Sequence, residues 1–441
     1  MTDTDAARNF RTNRFLLLQI LLLDLIGFSL IFPVVPDLLE FYLAGARAGG
    51  IDAWLLPVVE FLRSLLPPER RDEFIVLAGG LLSSLYALIN FIVAPYWGRL
   101  SDRIGRRPVL LLTSLGLALS YLFWFFSSSF TLFLVSRVIG GIMSGNLGVA
   151  SAAMADMSSR EHRTRDMGML GAAFGVGFIL GPVVGGISSQ VDLTAYSDFD
   201  FLHPFSFCAL VACVLSSLSA VRNFSSFSET HTPGTSAREW VSNPLRYMAG
   251  MRGTGMNRVL FINFLYLLMF SGWEFTFTFF YKFDFGLSPY AIGFIFLYVG
   301  VLVAAGQGGL VRRLAPRIPE KTMVLIGLLA MPLPLFLFGL TAPSVALSLA
   351  ALAPIALASS LIAPSLSGMV SLLNSDEHQG LALGIFRSAG SLARALGPIV
   401  GAFLYWTIDV TWTYLVFALF ILGAAGVAFT LKHVSRAEAR D

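Results

Sequence analysis

The sequence predicts an all-α polytopic membrane protein: twelve transmembrane helices in two related six-helix halves. Three observations carry that prediction. The 441 residues are 56% hydrophobic and only 13% charged, with a mean hydropathy of +0.74, whereas soluble domains carry about 25% charged residues. The apolar residues fall into blocks of about 20, the length that crosses a bilayer as a helix. The blocks also repeat in order along the chain. This composition excludes a soluble enzyme, a disordered scaffold and a secreted disulfide protein. Cys208 and Cys213 are the only cysteines, five apart in one apolar run, so on a helix they point about 140° apart. The five histidines fall in or beside loops and show no ligand spacing. No metal or cofactor is expected.

The expected spans are 15–43, 75–97, 109–127, 130–155, 167–190, 204–221, 257–283, 289–311, 321–341, 343–373, 380–405 and 410–432. An even number places both termini on one side. Of the 30 Lys and Arg residues, 22 lie in the terminal segments and in the loops on that side, five lie on or at the opposite side, and Arg137, Arg387 and Arg394 lie inside spans. Basic loops stay cytoplasmic, so both termini are expected there. A bacterial inner membrane is the expected location.

The stretch 222–256, with Thr230-His231-Thr232-Pro233-Gly234, reads as a cytoplasmic linker between halves 1–221 and 257–441. Three anchors support the repeat. Asn13-Arg14 matches Asn257-Arg258, Gly98-Arg99-Leu100 matches Gly308-Gly309-Leu310, and Gly181-Pro182-Val183-Val184-Gly185 matches Gly397-Pro398-Ile399-Val400-Gly401. The offset falls from 244 to 210 between the first two anchors, which places an insertion at 44–74 in the first external loop. Its Trp54, Leu55, Val58, Val59, Leu62, Leu65 and Leu66 stand among Asp52, Glu60 and Arg63. Two readings are open, a helix at the outer membrane face or a loop packed on the helix ends. Partner docking is a third.

Between spans 2 and 3 lies Gly98-Arg99-Leu100-Ser101-Asp102-Arg103-Ile104-Gly105-Arg106-Arg107. The glycines suit a tight turn and close helix approach. Asp102 suits a helix N-terminus, and Arg106 suits a cytoplasmic carboxylate, for which Asp156 is the candidate. This run resembles the cytoplasmic signature of the major facilitator superfamily. Arg137-Val138-Ile139-Gly140-Gly141 in span 4 is similar to a second motif of that family, with Gly140 in place of its usual Gln. Gly177, Gly181, Pro182, Gly185 and Gly186 match the span-5 motif of its drug:proton antiporters. Leu23-Asp24-Leu25-Ile26-Gly27 and Pro33-Val34-Val35-Pro36 are similar to tetracycline antiporters. Phe270-Ser271-Gly272-Trp273-Glu274 and Arg387–Arg394 resemble a eukaryotic tetracycline-transporter-like branch implicated in organic-anion efflux.

The resemblance implies the major facilitator fold, alternating access and a proton gradient as the energy source. It gives the span-5 motif an antiporter role, packing helices of opposite halves where small residues allow close approach. It links Arg137 to proton transfer; hydrogen bonding to backbone carbonyls is the structural alternative. Spans 3 and 9 carry no acid, unlike tetracycline antiporters, so tetracycline–metal exchange is not implied.

Charges at membrane depth face a cavity or a partner. Asp24 lies ten residues past Arg14, about 15 Å in, and is the first candidate for a protonatable group. Its structural alternative is a carboxylate paired with Arg or bonded to Asn. Glu274 is the second candidate, or a partner of Arg394. Arg387 and Arg394, seven apart on one helical face, suit an anionic substrate. Asn90, Asn146, Gln19, Trp273 and Phe270 are further substrate candidates. The latch candidates are Gly98, Asp102, Gly105, Arg106 and Asp156. The expected activity is proton-coupled export of a small amphipathic drug or organic anion by a monomer, with uptake or facilitated transport of an organic anion or lysolipid as the alternative. No catalytic constellation suits an acyltransferase, nothing suggests nucleic acid, and a receptor would not need a repeated gate motif.

Overall fold

The computed structural model describes residues 3–47, 52–65, 74–158, 163–197, 199–230, 255–374 and 379–431. All regular structure there is helical, and twelve helices are long and apolar enough to cross a membrane. Most of the expected linker, parts of the external insertion and four of the five histidines lie outside the described residues.

Proline and glycine divide several spans. Span 1 runs as α1 (Asp3–Ser29), a 3-10 turn over Phe32–Val34 and α2 (Val35–Arg47). Pro33 is the second residue of that turn; a proline has no N–H to give to the preceding helical turn. The insertion contributes α3 (Leu55–Ser64). Span 2 is the unbroken α4 (Phe74–Ile104) and span 3 is α5 (Arg106–Phe125). Span 4 is expected as one helix but breaks at Ser144-Gly145 into α6 (Phe130–Met143) and α7 (Asn146–Met157). Spans 5 and 6 are α8 (Arg163–Ser188) and α9 (Ser206–Ser226).

The later spans are α10 (Met256–Phe283) and α11 (Pro289–Ala305), the latter continued by a π-helical turn over Gly306–Val311. Span 9 divides at Pro332 into α12 (Glu320–Ala330) and α13 (Pro332–Phe338). Then come α14 (Val345–Leu372), α15 (Gln379–Ile408) and α16 (Val410–Phe429).

Two compact units result. The first holds residues 1–75, 85–238 and 287–297; the second holds 76–84, 239–286 and 298–441. Each unit thus takes one short stretch from beyond a simple cut at the linker. In the first unit α1 packs on α8 and α9, and α5 packs on α9 and α6. In the second α10 packs on α15 and α16, and α12 on α14.

The insertion is an ordered helix-end cap in its described part. Asp52 accepts hydrogen bonds from Phe130 N at 2.7 Å, Thr131 N at 2.9 Å and Thr131 Oγ1 at 2.7 Å. These satisfy N–H groups that the first turn of α6 leaves without helical partners. Ser129 adds an ordinary N-cap bond to Leu132 N. Trp54 Nε1 also donates to Thr131 Oγ1 at 2.9 Å.

Candidate functional site

The break in span 4 builds the first polar cluster. The Trp97 indole of α4 lies against Gly145, where a Cβ would collide with it, and Trp97 Nε1 donates to Ile142 O at 2.6 Å. The carbonyl at the break is thereby satisfied, and Asn146 becomes the first residue of α7. Its Nδ2 donates to Asp24 Oδ2 of α1 and, at 3.2 Å, to Ser114 Oγ of α5. Its Oδ1 accepts from Thr113 Oγ1. Ser114 in turn meets Ser219 of α9 at 3.3 Å.

Asp24 is 6% exposed and Asn146 4%. Asp24 Oδ1 is buried without a hydrogen bond of ordinary geometry. The neighbours that act most on the carboxyl are the neutral Ser219, Asn146 and Ser114. Asp24 thus has the Asn partner rather than the Arg partner of the two structural readings. Asn146, a candidate for substrate contact, has both ends of its amide engaged inside the protein and is instead the residue that holds Asp24.

Arg137 sits in an aromatic box. Its guanidinium carbon is 5.3 Å from the Trp124 ring centre, 5.4 Å from Phe133 and 5.9 Å from both Tyr86 and Tyr121. Cation–π attraction strengthens when the cation is desolvated, and Arg137 is 6% exposed. Its one hydrogen bond among the described residues is to Ser136 Oγ, at 3.4 Å. The rings, not backbone carbonyls, take the place of a counter-ion.

The signature after span 2 forms an ion-paired cluster. Arg106 meets Asp102 at 2.6 Å and Asp156 at 2.9 Å, and donates to Ser101 Oγ at 2.6 Å. Gly105 has φ +103°, a conformation that a side chain rarely adopts. The sequence reading missed Glu229. Its carboxylate accepts from Arg106 N at 2.8 Å and Arg107 N at 3.1 Å, capping the start of α5. A carboxylate there also meets the positive end of the helix dipole. Asn13 exchanges two bonds with the Ser228 backbone and fixes the segment that carries Glu229. Gly98 departs from expectation. It lies within α4, not in a turn, and a Cβ there meets open space.

In the span-5 motif, a Cβ on Gly177 would meet Leu25 Cβ at 2.7 Å, and one on Gly181 or Gly185 would collide with Ser29 or Leu30. These three glycines therefore admit α1 and Leu30 just after it, within their own half, in addition to the packing against the opposite half that the motif is expected to serve. Gly186 and Pro182 face the start of span 8. A Cβ on Gly186 would lie 2.8 Å from Pro289 O, and one on Gly293 would lie 2.5 Å from Pro182 O. The repeat has the same plan in the second unit. Gly397 and Gly401 face Leu268 and Gly272 of α10, while Gly80 faces Pro398 O.

In the second unit, Phe386, Gly390, Ala393 and Gly397 of α15 are buried, and Gly390 and Gly397 lie against α10. Arg387, Ser388, Ser391 and Arg394 form its exposed polar face. Arg394 is within electrostatic reach of Glu274 and Tyr266 but forms no ion pair with Glu274 within 4.0 Å. Asn263, overlooked in the sequence, donates to Phe386 O at 3.3 Å, and Ser271 to Arg394 O at 3.2 Å.

The lesser substrate candidates divide. Trp273 is 3% exposed, stacked on Phe277 and edge-to-face with Phe338, a core position with no open face for a substrate. Phe270 is half-buried between Tyr266 and Trp273. Gln19 is taken by Arg222 at 2.9 Å. Asn90 is half-buried and makes no hydrogen bond among the described residues.

Among the described residues, twelve apolar helices, embedded charges and small-residue helix contacts define an integral, multi-pass membrane protein. The chain belongs to the Major Facilitator Superfamily, whose family model matches residues 17–350 and 310–441. It is 35% identical to Major facilitator superfamily domain-containing protein 10 of Bos taurus, over 94% of this chain and 92% of that one. It is 30% identical to the class B tetracycline resistance protein of Escherichia coli, over 88% and 87%. The crystal structure of the human organic anion transporter MFSD10 matches with TM-score 0.72 and 30% identity, over 95% of this chain and 99% of that one. These relatives are transporters, not enzymes. With mammalian relatives at this level of identity, the expected bacterial inner membrane loses its support.

Proposed function

We propose that the protein exports a small organic anion or amphipathic compound by proton-coupled alternating access, with both termini cytoplasmic. The observation that carries the proton part is Asp24: a buried carboxyl whose neighbours Ser219, Asn146 and Ser114 are all neutral, so that taking up a proton removes a charge those neighbours do not balance. Asn146 and Asp156 stand at opposite ends of α7. A change at Asp24 therefore reaches Arg106 through a single twelve-residue helix, about 18 Å long. The Arg106–Asp102–Asp156 cluster is the cytoplasmic latch in this reading. Arg387 and Arg394 are the substrate contacts, since guanidinium groups bind anions by charge-assisted bonds. The activities for which the relatives are named, organic anion transport and tetracycline resistance, agree with that chemistry.

The test is transport of an organic anion in proteoliposomes under pH gradients of either sign. Asp24→Asn is expected to abolish the response to the gradient, and intact pH-driven transport in that variant overturns the reading. Substrate movement along the proton gradient, not against it, would favour uptake.

A further inference from the structure

The helix of the external insertion has three distinct faces. Successive residues turn by about 100°, and both caps of α3 keep helical dihedrals. Leu55 and Val59 are 6% and 7% exposed and form the face against the protein. Pro57, Glu60 and Ser64 form an exposed, more polar face roughly opposite. Trp54, Val58, Phe61 and Leu65 fall in a stripe about 60° wide between these two. They are 50%, 48%, 62% and 53% exposed. Four large apolar side chains in line are not the scattered surface residues of an ordinary loop.

Both ends of this helix are tied to one boundary of the membrane domain. Asp52 and Trp54 bind the first turn of α6. At the other end the Arg63 guanidinium lies 4.6 Å over the ring of Phe74, the first residue of α4. Spans 2 and 4 both begin at that boundary, so α3 lies along it. Val135, one turn along α6 from Thr131, is 40% exposed, so the apolar surface continues from the helix onto a span.

We infer that α3 is an interfacial helix whose Trp54–Val58–Phe61–Leu65 stripe lies among the headgroups and upper acyl chains of the adjoining leaflet. An interfacial helix presents one face to lipid and another to water, and aromatic residues concentrate at that depth. Here a third face is fixed to protein, so the lipid-facing stripe stands sideways between protein and water. The helix thereby holds the start of α6, the helix that carries Arg137, at a set height in the bilayer.

The test uses the full chain in nanodiscs, in a Cys208→Ser/Cys213→Ser background. Single spin labels are attached after Phe61→Cys and, separately, Glu60→Cys, and collisions with oxygen and with a water-soluble nickel complex are compared. The label at position 61 is expected to meet oxygen several-fold more than nickel, with the reverse at position 60. Equal nickel access at both positions places the stripe in water and overturns the inference. Shielding of position 61 from both reagents assigns the stripe to a protein partner or a second copy and also overturns it. If one of these variants fails to assemble, Val58→Cys and Ser64→Cys give the same contrast.

Discussion

Asn146 donates a hydrogen bond to the Asp24 carboxylate across 122 residues of sequence. Asn146 opens the helix that Asp156 nearly closes, and Asp156 accepts from Arg106 Nε at 2.9 Å. The proposed proton site and the proposed latch therefore share one rigid element. Asn146→Ala removes a donor that favours the ionised carboxylate, so it is expected to raise affinity for the driving proton and to move the pH profile of transport toward higher pH, while Asn146→Ser retains part of the wild-type profile. Losing a partner of a buried polar group costs about 1–3 kcal/mol. A pH titration of transport rate in proteoliposomes measures the shift.

The latch predicts that Asp156→Asn and Arg106→Lys weaken the cytoplasmic cluster. Lys cannot reproduce the guanidinium fork that reaches Asp102, Asp156 and Ser101 together. Thermal unfolding in detergent is expected a few degrees lower for either variant, consistent with loss of about 1–2 kcal/mol. Alkylation of a cysteine introduced by Arg103→Cys is expected to accelerate in both.

Two glycines of the same signature predict opposite outcomes. Gly105→Ala forces a side chain into φ +103° and into the Glu229 carboxylate that caps α5. It is expected to cost at least 1–2 kcal/mol, about the cost of a strained conformation. Gly98→Ala places a methyl in open space inside a helix and is expected to leave stability unchanged or slightly raised. The melting temperatures of the two purified variants check the contrast.

The span-5 glycines predict that Gly185→Ala destabilises the first unit more than Gly175→Ala does. A Cβ at 185 collides with the Leu30 backbone, whereas one at 175 meets nothing within 4 Å. Backbone cannot yield as a flexible side chain can, so overpacking of about 1–3 kcal/mol is expected. The comparison is of thermal stability and of yield after purification.

His203 predicts an acid limit to stability. Burial lowers its pKa from 6.5 to about 4, outweighing the bond to the Trp124 carbonyl, which acts to raise it. Its Nδ1 accepts from Phe205 N, so the folded protein holds the neutral ring. The unfolded chain binds the extra proton first as the pH falls. The His203 contribution is present above about pH 6.5 and is lost as the pH falls from there toward 4, to a total on the order of 3 kcal/mol. His203→Gln is expected to flatten the pH dependence of the melting temperature across that window.

The fold was legible because its signals are local. Hydropathy blocks located the spans, and Pro33 and Pro332 mark two of the breaks within them. The break at Ser144-Gly145 was not legible. It depends on the Trp97 indole, contributed from nearly fifty positions earlier. Within the candidate site, Asp24 and Arg137 stood out as charges in apolar runs. Glu229 did not, because an acid beside a polar linker looks like any solvated residue until the start of α5 is found against it.

The sequence by itself determined that this chain spans a membrane twelve times, that it repeats, and which few charges are embedded. Those properties follow from composition and spacing along the chain. Only the tertiary structure decided that Asn146 serves Asp24, that aromatic rings surround Arg137, and that three glycines of the span-5 motif admit α1. These outcomes depend on how each helix is rotated and how closely its neighbours approach. Those quantities are set by packing among residues tens to hundreds of positions apart.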